Sequence, residues 1–129
     1  MLKTDAVEQF DPQVAGVYAF RIKDRLADSD MEAMADTMNA AFDRHDKVDM
    51  LLSFDSSDAG AELGSGLSLD VLRSRVRALS NVRTYAVANA PEGAESIIDF
   101  FGNILPVKAE TFVSEHNALE HLRSLPSLQ

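Results

Sequence analysis

The chain has 129 residues, 46% of them hydrophobic and none of them cysteine. That length suits one domain that hides roughly two-thirds of its unfolded surface without a metal or disulfide staple, and the missing cysteine excludes disulfide frameworks, thiol catalysis and cysteine-ligated metal centres. The net charge is −9, with 14 acids and 6 bases in residues 1–62 against 7 and 6 in residues 63–129, a balance that repels phosphate backbones and anionic membranes and so excludes general nucleic-acid binding.

The opening residues 1–12 are charged and lack the apolar stretch of a signal peptide. No apolar run approaches the ~20 residues of a membrane span. The expectation is a cytoplasmic protein without a membrane span. A first strand is expected within residues 1–10, with Leu2, Val7 and Phe10 as its apolar positions, followed by a turn at Asp11-Pro12-Gln13. Residues 14–22 read as a second strand, hairpin-paired with the first, because Tyr18, Phe20 and Ile22 fall on one face by period two. A charged loop then leads to a helix over about 30–44, opened by Asp28 or Ser29 and carrying Met31, Met34, Met38, Ala41 and Phe42 at helical spacing. Residues 48–54, Val-Asp-Met-Leu-Leu-Ser-Phe, form a mostly apolar run that suits an interior strand covered on both faces.

A polar loop rich in Ser, Asp and Gly occupies 55–66. A helix over about 68–80 follows, with Leu69, Leu72, Val76 and Leu79 as its buried stripe. Residues 82–88 make the next strand. Pro91 suits the first turn of a third helix that runs to about Leu105. A short strand over 107–113 leads to a last helix, capped by Ser114, opened by Glu115, buried along Ala118, Leu119, Leu122 and Leu125, and ended by Pro126. The order β-β-α-β-α-β-α-β-α implies an α/β domain over residues 1–129, with a mixed, mainly parallel sheet flanked by helices.

Several phrases carry a likeness. They are the strand Val17-Tyr18-Ala19-Phe20-Arg21-Ile22, the loop with Leu26, Asp28 and Asp30, and the passage Arg44-His45-Asp46-Lys47-Val48 into Met50-Leu51-Leu52. Two more are Val82-Arg83-Thr84-Tyr85-Ala86-Val87 and Asn117-Ala118-Leu119-Glu120-His121-Leu122. Together they resemble the SpoIIAA-like family of the STAS/SEC14 group across nearly the whole chain. The resemblance implies a mixed central sheet and, on the STAS side, a regulatory module that switches protein partners when a serine at a helix start is phosphorylated. The family's D-S-S-G-L phrase is only partly matched. Asp55-Ser56-Ser57-Asp58 lacks the glycine, and Ser65-Gly66-Leu67 is preceded by Leu63 and Gly64 instead of Asp and Ser. Ser65 is the phosphosite this comparison suggests; a loop or capping role explains it equally. The SEC14 side implies a small apolar ligand or lipid. Ile97, Phe100, Phe101 and Ile104 give the third helix more apolar surface than one buried stripe needs, which suits a buried core, a homodimer contact or a pocket.

Other constellations are weak. His45, His116 and His121 lack metal-ligand spacing. There is no phosphate-binding glycine loop and no nucleophile elbow. Arg73, Arg75 and Arg77, with Arg83 nearby, form the one basic cluster, in which Arg73 and Arg77 sit a helical turn apart and suit either an acidic partner or a solvated face. The leading expectation is a non-enzymatic binding or regulatory module without cofactor or metal. It works through protein contacts and forms a homodimer, using Ser65, Gly66, Leu67, Arg73, Arg77 and the apolar third helix. A lipid or small-ligand carrier is the second reading, and an enzyme with a hidden cleft the third.

Overall fold

A computed structural model describes residues 2–24, 28–44, 47–55, 82–90 and 107–125. Within them, five strands form one sheet in the order β1-β2-β3-β4-β5: β1 Val7–Phe10, β2 Val17–Ile22, β3 Val48–Phe54, β4 Val82–Ala88 and β5 Ala109–Phe112. β1 pairs antiparallel with β2, and every other pair is parallel. The chain is thus an α/β protein with a mixed, mainly parallel sheet. Two helices are described, α1 over Asp28–Arg44 and α2 over Glu115–Ser124. The helices expected over about 68–80 and from Pro91 to about Leu105 lie outside the described residues.

Local chemistry sets the strand boundaries. β2 begins at Val17, three residues later than its apolar run suggests, because residues 11–16 are consumed by the hairpin turn. Asp11 Oδ1 accepts from the Gln13 amide at 2.8 Å, an Asx-turn contact. Gly16 holds φ 78°, a conformation that glycine adopts without a Cβ clash, and its carbonyl accepts from the Asp49 amide at 2.8 Å. β5 is likewise shorter than the 107–113 run, covering only the residues that pair with Tyr85–Ala88 of β4. α1 starts at Asp28, two residues earlier than the apolar periodicity alone marks, and Asp30 lies buried in its first turn, where the helix dipole favours a carboxylate.

The sheet has two unlike faces. One carries Phe20, Ile22, Met50, Leu52, Phe54, Tyr85 and Val87, and receives Met34, Met38 and Ala41 of α1. Tyr18 joins Phe20 and Ile22 on this face, as period two requires; the side chains of Met31 and Phe42 lie outside the described residues. The opposite face is lined by Val17, Ala19, Leu51, Ala86 and Ala88 and is covered by Ala118 and Leu122 of α2, with Leu119 and Leu125 partly buried beside them. Alanine at three of those five sheet positions lets the short helix sit close to the backbone. All seven residues of β3 are buried, so this strand is covered on both faces.

That burial includes Asp49, whose side chain is 1% exposed. Arg83 answers it in a two-point grip, Nε to Oδ1 at 3.1 Å and Nη2 to Oδ2 at 2.7 Å. The β3–β4 register shifts at Val48/Asp49, so that Val48 faces Val82 while Asp49 faces Thr84. The extra residue in β4 is Arg83 itself, and the bulge is what re-aims its side chain toward Asp49. Arg83 is therefore paired with a buried carboxylate, its own side chain 27% exposed; Arg73, Arg75 and Arg77 lie outside the described residues. Removing one member of a buried pair strands the other. Arg83→Met is expected to lower unfolding free energy by about 3 kcal/mol in urea titration, and the double variant Asp49→Leu/Arg83→Met to recover most of that loss. Leu122→Ala should cost about 2–4 kcal/mol in the same assay by opening a void under α2.

Candidate functional site

The described candidate site lies at the carboxyl ends of the parallel strands, the edge where open α/β sheets generally bind their ligands. A cleft of about 440 Å³ is lined there by Arg21 of β2, Ser53, Phe54 and Asp55 at the end of β3, Asn89 after β4, and Ser114 and Glu115 at the start of α2. The sheet register brings them together. Arg21 of β2 pairs with Ser53 of β3, so the two side chains project side by side on the α2 face, and Ser53 in turn faces Ala88 of β4. The small side chain of Ala88 leaves room for the first turn of α2.

Glu115 enters that space. Its Oε1 accepts from the buried Ser53 hydroxyl at 2.7 Å, and Arg21 Nη2 donates to Oε1 at 3.1 Å and to Oε2 at 3.2 Å. The Arg21 guanidinium carbon lies 4.3 Å from the centroid of the Phe10 ring, a cation–π contact. Phe10 reaches it because the β1–β2 register sets Phe10 opposite Ala19 and Glu8 opposite Arg21, making the ring a diagonal neighbour on the same face. Glu8 meanwhile accepts Lys23 at 3.4 Å and Lys3 at 3.9 Å.

The far wall is held by caps. Ser114 takes extended backbone angles, and its hydroxyl accepts from the Asn117 amide at 3.1 Å, the N-cap contact expected from its sequence position. Asn89 adopts φ 56°, a left-handed conformation that asparagine tolerates better than most residues. Its amide donates to the Phe112 carbonyl at 3.0 Å, and its side-chain Nδ2 donates to the Phe54 carbonyl at 2.8 Å. One residue thus ties the ends of β3, β4 and β5. Asp55 stands exposed on the rim, its amide bound to the Ile22 carbonyl at 2.8 Å, and Val113 beside Ser114 is 81% exposed.

Two further cavities are smaller. One, about 170 Å³, lies at the opposite edge between Val14, Ala15, the Asp49–Arg83 pair and the end of α2. The other, about 290 Å³, runs beside β4 and β5 past Thr84, Tyr85 and Lys108. His121 stacks at 5.2 Å on Phe112 and meets Glu110 at 3.2 Å, so it fastens α2 to β5. Among the described residues no group of three or more His, Asp or Glu side chains is placed to hold a metal ion, and no helix is long and apolar enough to cross a membrane.

Ser65, Gly66, Leu67, Arg73, Arg77, Ile97, Phe100, Phe101 and Ile104, the site residues expected from sequence, all lie outside the described residues, as does His45. Of the expected working loop, Asp55 alone is described, and it lines the cleft. Arg21 and Ser53 were missed, although both are polar residues within runs that otherwise read as strand interior. Glu115 was read as a helix-opening acid, which it is, but its reach to two strands has no sequence signal.

Glu115→Ala is expected to destabilise the fold by about 1–2 kcal/mol, as a charge-assisted, partly exposed contact does. In a double-mutant cycle with Arg21→Gln, read by thermal or urea unfolding, the coupling should be about 1 kcal/mol; additive losses would mean that the two side chains do not support one another.

A family model described as SpoIIAA-like matches residues 17–123. No curated protein and no solved structure matches the chain. The match spans β2 through nearly all of α2, and with it both buried faces of the sheet and all seven residues that line the cleft: the chain belongs to the SpoIIAA-like family.

Proposed function

We propose that residues 1–129 form one SpoIIAA-like domain that works as a non-enzymatic, cytoplasmic regulatory module, docking a protein partner over the carboxyl edge of its sheet. The observation that carries this reading is the way the cleft's polar groups are committed. Glu115 is held by Arg21 and by the Ser53 hydroxyl, which donates a hydrogen bond to that carboxylate. A group fixed by neighbours on two strands serves as a rigid wall better than as a proton shuttle. The rim supplies what a docking face needs, namely exposed Asp55 and, next in sequence to the lining residue Ser114, exposed Val113. Six of the seven lining residues are polar or charged, which favours a protein surface over an apolar ligand at this cleft.

Self-association and regulation through Ser65 belong to the same proposal; Asp55, the first residue of the stretch expected to carry Ser65, lines the cleft. A photoreactive phenylalanine analogue introduced at position 113, and separately at exposed position 15 on the opposite edge, tests the docking face in the cells that make the protein. A discrete protein adduct should form from position 113 and not from position 15. Equal labelling from both, labelling from 15 alone, or none from either would remove the carboxyl edge as the docking surface.

A further inference from the structure

The hydrogen-bonding groups around the cleft are unevenly used. Glu115 is close to saturated, since a carboxylate offers about four acceptor positions and three hydrogen bonds already reach it. Arg21 is the opposite case. Both of its contacts to Glu115 leave from one nitrogen, Nη2, and neither Nε nor Nη1 has an acceptor among the described residues. The side chain is 30% exposed and lines the cleft. Its guanidinium carbon lies over the Phe10 ring at 4.3 Å, a contact that restrains the side chain before an acceptor reaches its unused N–H groups.

We propose that Arg21 is the receptor for a carboxylate, carried on an Asp or Glu side chain of the partner protein that docks over the cleft. The inference rests on the docking reading and names the chemistry of the group that enters. A cation is the poorer match: it would meet Glu115, whose lone pairs are largely taken, and Asp55, which is exposed and screened by water and salt. A phosphate would fit the arginine but would set about two negative charges beside Glu115 and Asp55, whereas a side-chain carboxylate sets one. Glu115 already occupies one side of the guanidinium as a carboxylate. The cleft therefore holds a resident example of the group it is built to receive, and the incoming carboxylate either shares the arginine with Glu115 or displaces it.

The measurement uses the intact chain labelled with nitrogen-15, following arginine side-chain Nε–Hε signals by NMR at constant ionic strength. The probe is N-acetyl-glutamate amide, with inorganic phosphate as the comparison. The Arg21 signal should shift saturably with the probe, while Arg123, an exposed arginine paired with Glu120 at 3.3 Å, should drift only linearly. Arg21→Lys, which keeps the charge but loses the planar fork, should weaken binding about tenfold, the size of one charge-assisted hydrogen bond. Glu115→Gln, which removes the resident charge, should strengthen it by a similar factor. An Arg21 signal that only tracks Arg123, or phosphate binding more tightly than the carboxylate probe, overturns the proposal. If that happens while the crosslink from position 113 persists, the docking reading stands and the carboxylate assignment alone falls. Because the decisive signal is read on the unmodified protein, misfolding of a variant does not remove the test.

Discussion

The structure depends on a strand that has no solvent side. β3 is buried along its whole length, so each polar side chain it carries must be answered from within the protein. It carries two, Asp49 near its start and Ser53 near its end, both on the face that α2 covers. Asp49 recruits Arg83 through a bulge in β4, and Ser53 recruits Glu115 from the first turn of α2. The two answers have different consequences. The first closes the amino edge with a charge pair whose carboxylate is almost wholly removed from water. The second draws a helix terminus down to the carboxyl edge and brings Arg21 with it, which creates the polar cleft.

The unequal faces of the sheet explain why α2 can be so short and still determine the site. Large side chains on the α1 face fill the space between helix and sheet, whereas the alanines opposite hold α2 close to the strands. Only Ala118 and Leu122 of α2 are fully buried. Two apolar anchors leave rotation about the helix contact weakly specified. The remaining specification comes from polar contacts at the flanks: Glu115 to Arg21 and Ser53 at one end, and His121 to Glu110 and Phe112 at the middle. Close packing gives α2 its distance from the sheet, and these polar ties give it its azimuth.

Most of the described fold was legible because it follows local rules. Period-two alternation marked β2, the unbroken apolar run marked β3 as a doubly covered strand, and Ser114 followed by an acid marked the start of α2. The site was not legible for a physical reason. Arg21, Ser53 and Glu115 are 94 and 62 residues apart along the chain in the two contacts that join them, and only the β2–β3 register and the seat of α2 bring them together. The partner of Arg83 was illegible for a related reason: its pairing with Asp49 depends on a register shift between β3 and β4 that no local sequence feature marks. Asp49 and Ser53 did carry a signal, being polar interruptions in a run otherwise suited to full burial, but that signal names the need for partners without naming them.

Family membership accounts for the sheet and its coverings, and a shared fold does not by itself assign a function. What bears on function in this chain is the chemistry placed at the strand ends. Asn89 ties three strand ends through its own amide and its side chain while accepting a left-handed backbone, so the floor of the cleft is stiff. The wall opposite is an arginine whose guanidinium lies over an aromatic ring. Stiff floors and pre-oriented donors lower the entropy lost when another surface arrives, and that benefit accrues to binding whether or not any bond is made or broken. Glu115 joins two strands to the start of α2 through Arg21 and Ser53, so the contacts that build this edge also shape the surface it presents.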